Sequence, residues 1–162
     1  MSTSPKPEFV YTTYIRTTPE KLWAALTTDD VVPRYWFGNV VKSSWGQGDA
    51  VQSFDKDDGT LDWDGEVLES TPPSKLVFTF RVEGVPEKAS QVTYLIEAAE
   101  AVEFGPTGDA VKFTVIHEDF ATDSQIIHGV SRGWPGILSN LKTMLESETG
   151  TPLGLMWKPP AE

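Results

Sequence analysis

Apolar residues recur along this 162-residue chain at two different spacings, and the change from one to the other divides it. Up to about Asp119 short runs alternate apolar and polar positions, the signature of half-buried strands; beyond Asp123 the apolar residues fall three and four apart, the signature of a helix. The first run, FVYTTYIR from Phe9 to Arg16, is rich in β-branched and aromatic residues and predicts a strand. Thr18 then offers a capping hydroxyl and Pro19 suits a first helical position, so a short helix follows with Leu22, Trp23 and Leu26 on one face. A second short turn, DDVVPRYWFG, starts at Asp29, carries the aromatic cluster Tyr35, Trp36 and Phe37, and ends at Gly38. Val40 to Trp45 and Ala50 to Asp55 predict a hairpin around the GQGD turn, and Asp55 to Gly59 an acidic loop.

In the strand predicted from Leu61 to Glu69, Leu61, Trp63, Gly65 and Val67 face one way and Asp62, Asp64 and Glu66 the other. After the TPPS break, Lys75 to Val82 turns Leu76, Phe78, Phe80 and Val82 inward and Thr79 and Arg81 outward. Ser90 to Glu97 presents Val92, Tyr94 and Ile96 on one face, and pairs with Ala110 to Asp119, where Val111, Phe113, Val115 and His117 share a face. The connection between them, AAEAVEFGPTG, is longer than a minimal hairpin loop.

From Asp123 to Gly150 the residues Ile126, Ile127, Val130, Trp134, Ile137, Leu138, Leu141, Met144 and Leu145 fall within an arc of roughly 120°. His128, Arg132, Pro135, Ser139, Lys142 and Glu146 take the opposite, solvated side. Gly129, Gly133 and Gly136 share a strip beside the apolar arc, although each costs about 1 kcal/mol against alanine in a helix. Two explanations stand for that strip: close packing of helix on sheet, or glycines and a bend at Pro135 that shape a cavity beneath the helix.

The order is therefore strand, two short helices, a run of about six strands and one long helix. Sequential hairpins make an antiparallel sheet with one apolar face, and the apolar arc of the helix must be buried against it. The expected class is α+β: a curved antiparallel sheet of about six or seven strands gripping a long C-terminal helix. At this length one domain over residues 1–162 is expected, with a frayed N-terminus at 1–7 and a tail at 151–162 whose Leu155, Met156 and Trp157 dock on the body or on a partner.

Composition narrows the function. The net charge of −11 is spread along the chain with no basic stripe, which disfavours nucleic acid and anionic membrane surfaces. No run reaches the about 20 apolar residues of a membrane span, and MSTSPKPEF lacks a signal peptide's apolar core, so a cytoplasmic protein is expected. Without cysteine, disulfides, thiolate zinc and a thiol nucleophile are all excluded. Six Trp, four Tyr and eight Phe are enough to fill a core or line an apolar pocket.

Several strings also carry a resemblance: TTPEKLWAALT followed by RYWFG, SSWGQGD, PPSKLVFTF and above all GWPGILSNLKTMLE. In their order and spacing, from Phe9 to Thr149, they resemble the AHSA-like branch of the SRPBCC superfamily, which shares the START and birch-pollen-allergen helix-grip fold. That branch is named after the activator of the ninety-kilodalton heat-shock-protein ATPase. The resemblance implies a ligand space between sheet and helix. Members of the superfamily include lipid and polyphenol binders, polyketide cyclases and aromatases, antibiotic-resistance proteins and co-chaperone domains.

The inward positions predict the lining of that space: Trp63, Phe78, Phe80, Tyr94, Phe113 and His117 from strands. The helix supplies Val130, Trp134, Ile137, Leu138 and Leu141, with Tyr35, Trp36 and Phe37 at the mouth. The opposing expectation is an interior filled by these same side chains. His117 is the candidate for acid or base chemistry, with Tyr94 or Arg81 nearby, against a hydrogen-bonded structural histidine. Asp62, Asp64 and Glu66 read as a solvated outer face rather than a cation site, and no metal or cofactor is implied. The expected function is binding of a small hydrophobic or aromatic molecule of lipid, polyphenol or polyketide class. The alternatives are a cyclase or hydrolase acting on such a ligand, and an interaction module that docks on a chaperone or on itself as a homodimer.

Overall fold

Seven antiparallel strands form one sheet in which the second to the seventh lie side by side in chain order and the first pairs with the last. The computed structural model describes residues 8–99 and 110–147. Along the chain they run β1 (Phe9–Ile15), α1 (Pro19–Thr27), a 3₁₀ turn (Val32–Arg34), β2 (Val40–Lys42), β3 (Ala50–Phe54), β4 (Leu61–Thr71), β5 (Lys75–Val82), β6 (Ser90–Ala98), β7 (Val111–Glu118) and α2 (Ile127–Glu146). The sheet's apolar face and the buried side of α2 share a single core, as the strand alternation and the helical arc together require. The segments 1–7 and 148–162, and Glu100 to Asp109 of the β6–β7 connection, lie outside the described residues.

Local chemistry sets the boundaries. The Thr18 hydroxyl accepts from Lys21 N (3.2 Å) with Pro19 at the first position of α1, and the buried face of that helix is Leu22, Ala25 and Leu26, with Trp23 only partly covered. β2 is three residues shorter than the alternation predicts, because the Ser43 hydroxyl accepts from Trp45 N (2.9 Å) and Trp45 turns to φ 59°. The chain thereby leaves the sheet while Trp45 drops into the core. α2 starts at Ile127 instead of Asp123, since Asp123 itself takes φ 55°. Glu87, from the β5–β6 loop, accepts there from the Ser124 hydroxyl (2.7 Å) and from Gln125 N (2.6 Å), a carboxylate placed where the helix leaves amides unpaired.

The far end of α2 is tied to β1. Lys142 donates to the Tyr14 carbonyl (2.7 Å) and to Glu146 (2.8 Å), and the same Glu146 oxygen accepts from Arg16 N (2.9 Å). Beneath that half Leu138, Leu141 and Met144 are buried; truncating any one to alanine costs about 2–5 kcal/mol. These contacts outweigh the helical penalties of the glycines and of Pro135, through which the helix continues.

Curvature enters at Gly65 on β4. A Cβ there would run into the Thr79 carbonyl of β5, and the Thr79 hydroxyl, not a backbone carbonyl, takes the Glu66 amide at 2.9 Å. A further register shift follows between Val67 and Glu69. Glycine and bulge let β4 close tightly over β5 and bend the sheet around the helix. Gly65→Ala is accordingly expected to lower stability by at least about 2 kcal/mol in urea unfolding; an unchanged midpoint would show that the close approach is dispensable.

Candidate ligand cleft

Between sheet and helix the interior is filled at one end and open at the other. A cleft of about 440 Å³ lies under the first half of α2, lined by Ile126, Gly129, Val130, Gly133, Trp134 and Ile137 from the helix. Trp63, Phe80 and Val82 form its sheet side, and Trp36, Phe37, Asn39, Asp55 and Asp62 complete its rim. The glycines explain the space. A Cβ built at Gly129 or Gly133 meets nothing within 4 Å, although Gly133 is buried. At Gly129 and Gly133 the strip thus leaves room, and close helix-to-sheet packing is not the reason for these two glycines.

The aromatic walls hold one another in place. Trp36 meets Trp134 edge to face at 5.2 Å and Trp63 at 5.8 Å, and Trp63 lies 4.6 Å from Phe80; each such pair adds about 0.5–1.5 kcal/mol beyond simple burial. Phe37 is held at the rim by a left-handed backbone, φ 53°, followed by Gly38 at φ 85°. The Gly38 amide reaches back to the Pro33 carbonyl at 3.0 Å and closes the 3₁₀ turn. That strain, about 1 kcal/mol or more for an aromatic residue, turns the rim aromatics back over the cleft.

Of the positions predicted to line a ligand space, Trp36, Phe37, Trp63, Phe80, Val130, Trp134 and Ile137 meet at this cleft. Tyr35, Phe78, Tyr94, Phe113, His117, Leu138 and Leu141 do not; they belong to the solid part of the core. Tyr35 donates its hydroxyl to the Ala25 carbonyl (2.9 Å), tucked under the mouth rather than forming it. Phe78 and Tyr94 pack edge to face at 5.4 Å, and Tyr94 meets Phe113 at the same distance, so these rings close the space that alternation alone would have left to a ligand.

His117 is fully buried and engaged on both nitrogens. The Trp134 indole N–H donates to Nδ1 (3.0 Å), which puts the proton on Nε2; that donates to the Ser90 hydroxyl (2.7 Å), which in turn donates to the Phe80 carbonyl (3.2 Å). With no water-facing site left, burial pushes the His117 pKa down to about 3. It is therefore neutral at physiological pH, with no free lone pair for a substrate. Burial likewise pushes the Tyr94 hydroxyl well up. Arg81 lies on the outer face, fork to fork with Asp64 (2.8 and 2.9 Å) and bound to Glu83. The three groups that proton chemistry would need are thus kept apart and out of the cleft.

Three lining residues, Asn39, Asp55 and Asp62, were not signalled as such by alternation. They sit where β3 and β4 shift register at Ser53 and Phe54, and an end-of-hairpin irregularity leaves no periodic trace. Asp62, expected on a solvated outer face, stands at the mouth; its pKa is raised, first by desolvation and then by Asp55. Among the described residues no three His, Asp or Glu side chains converge as a cation site would require.

Residues 16–146 match the model of the family described as Activator of Hsp90 ATPase homolog 1-like protein. No curated protein matches the chain. Among solved structures, the Aha1 dimer from Colwellia psychrerythraea has a TM-score of 0.69 at 19% identity, covering 91% of this chain and 98% of that one. PFC0360w, an HSP90 activator from Plasmodium falciparum, has a TM-score of 0.70 at 20% identity, covering 85% and 95%. DynU16, from the dynemicin biosynthetic locus, has a TM-score of 0.72 at 19% identity, covering 93% of this chain and 51% of that one. At these identities the likeness is one of fold.

Two outcomes are expected. Gly129→Ala and Gly133→Ala should each raise stability by about 0.5–1 kcal/mol, since the methyl enters open space and the helix gains propensity; a loss in urea unfolding would mean the strip is packed. The second concerns His117, whose folded pKa lies below the usual value of about 6.5. Above that pH both states are neutral and its contribution is complete. As pH falls, the unfolded chain takes up a proton that the folded one refuses, so stability should drop by up to about 1.4 kcal/mol per pH unit below 6.5. His117→Gln should flatten the slope between pH 6.5 and 5; an equal slope in both proteins contradicts the neutral, buried histidine.

Proposed function

The chain belongs to the activator of Hsp90 ATPase homolog 1-like family, and from that premise we propose that it binds a small apolar or aromatic molecule in the cleft beneath the first half of α2. The observation that carries this is the room left beside Gly133: a helical penalty of about 1 kcal/mol is kept at a buried position where a Cβ would touch nothing, while exposed Gly129 opens the same cleft one turn earlier. A volume of about 440 Å³ lies within the roughly 300–1,000 Å³ of small-molecule sites, which are likewise mostly apolar with a few polar groups. Flat faces at Trp36, Trp63, Phe80 and Trp134 favour a planar or polycyclic body, of the polyphenol or polyketide kind, over a saturated chain. The biosynthetic locus after which DynU16 is described is in keeping with a small-molecule role.

Binding, not turnover, is the proposal. Among the described residues the titratable groups in the lining are two aspartates, and His117, Tyr94 and Arg81 stand outside it. Activation of Hsp90 is what the family's description and PFC0360w are named for.

Tryptophan fluorescence, titrated with a panel of flavonoids, planar polyketides and fatty acids, should show saturable change at micromolar concentrations for the planar members. Gly133→Leu, which fills the cleft, should weaken that binding at least tenfold while leaving thermal unfolding cooperative. A flat response to the whole panel, or undiminished binding by the filled variant, would overturn the proposal.

A further inference from the structure

The cleft has a charge preference written into its rim. Among the described residues its lining includes no lysine, arginine or histidine, and its two ionisable members, Asp55 and Asp62, are both acidic. They differ in availability. One oxygen of Asp55 accepts from the amides of Asp57 (2.8 Å) and Asp58 (3.2 Å), so that carboxylate is committed to its own loop. The Asp62 carboxylate has no hydrogen bond or ion pair among the described residues. By contrast Asp64, two residues further along β4, is clamped by Arg81. Lys56, next to Asp55 in sequence, lays its stem against Gly38 and stays out of the lining. Asp62 is thus a free anion at the edge of an apolar cavity.

A second observation concerns the wall. Trp63 is 3% exposed and lines the cleft, and among the described residues its covered indole N–H has no acceptor. A buried donor left unpaired is costly, so a ligand oxygen that meets it on a small turn of the ring is favoured. Around it the faces of Trp36, Trp63, Phe80 and Trp134 are electron-rich and attract cationic groups.

Resting on the cleft being a binding site, we propose that its ligand class is an arylalkylamine: a planar body carrying an oxygen acceptor and, at the mouth, a protonated alkylamine that pairs with Asp62. Anionic amphiphiles such as fatty acids are then poor ligands, because they would bring a carboxylate against an unneutralised one. Asp62 is exposed, and its raised pKa, from partial desolvation and then repulsion by Asp55, agrees: both disfavour a lone anion there, and a bound cation offsets them.

Three matched probes test this by isothermal titration calorimetry: 2-(1-naphthyloxy)ethylamine, 2-(1-naphthyloxy)ethanol and (1-naphthyloxy)acetate, which share ring and ether oxygen and differ in charge. The amine should bind about tenfold tighter than the alcohol at low salt and lose that advantage at high salt, and the acid should bind more weakly than either. Asp62→Asn should bring the amine to within twofold of the alcohol. Glu97→Gln, which removes one exposed charge remote in sequence from the rim, should keep the preference and so separates Asp62 from the general field of a −11 chain. If the alcohol binds and the amine binds no tighter, or if Asp62→Asn keeps the full preference, this inference fails while the cleft stands as a site. If none of the three binds, the cleft reading fails with it.

Discussion

Trp134 is the partition on which the interior depends. Its indole N–H is spent on His117 Nδ1, its ring edge meets Trp36 on one side, and Tyr94 lies 6.0 Å away on the other. A side chain fixed by a buried hydrogen bond and by rings on two sides cannot swing to fill the neighbouring space, and interiors are otherwise packed as tightly as organic crystals. Toward the C-terminal end of α2, Leu138, Leu141 and Met144 complete a solid core. Toward its start, glycine stands where a larger residue would, and about 440 Å³ remains. The Trp134–His117–Ser90–Phe80 chain of hydrogen bonds carries that partition from helix to sheet.

The two halves of α2 are also secured differently. One end is anchored to β1 through Lys142 and Glu146 and by deep apolar burial. The other is tied by the Glu87 carboxylate to Ser124 and Gln125, just ahead of its first turn. Apolar contact does the stabilising at the closed end, and polar ties do the positioning at the open one. Removing apolar packing under the first half therefore sacrifices little, because the second half already holds the helix against the sheet.

Much of the fold was legible in the chain. Period-two alternation located β4 to β7 and a spacing of three and four located the long helix, because both patterns are imposed by burial on one face; β-branched and aromatic content marked β1, and the GQGD turn marked the hairpin of β2 and β3. The sequence missed what burial does not pattern: Trp45 leaving β2 through a Ser43 turn, the start of α2 set by a distant Glu87, and the close pass at Gly65. For the site, alternation named inward residues correctly but could not say which of them would meet each other. Phe78, Tyr94 and Phe113 point the same way as Trp63 and Phe80, and only the cross-sheet ring packing decides that the first three seal the interior. Asp62 escaped notice because it shares a strand face with Asp64 and Glu66, and the register shift that carries it to the mouth has no signature in spacing. The glycine strip was the most informative clue, since a residue costly in a helix marks a place where volume is withheld.

The central claim, an interior divided at Trp134 with its open half the ligand site, is tested most directly by the indole N–H signals of the tryptophans in a ¹H–¹⁵N spectrum, followed as a planar ligand is added. The account predicts that Trp36, Trp63 and Trp134 shift together and saturate with one affinity, while Trp45, embedded against Phe78 in the solid half, stays in place. A ligand that moved Trp45 and left the three cleft tryptophans unchanged would contradict it.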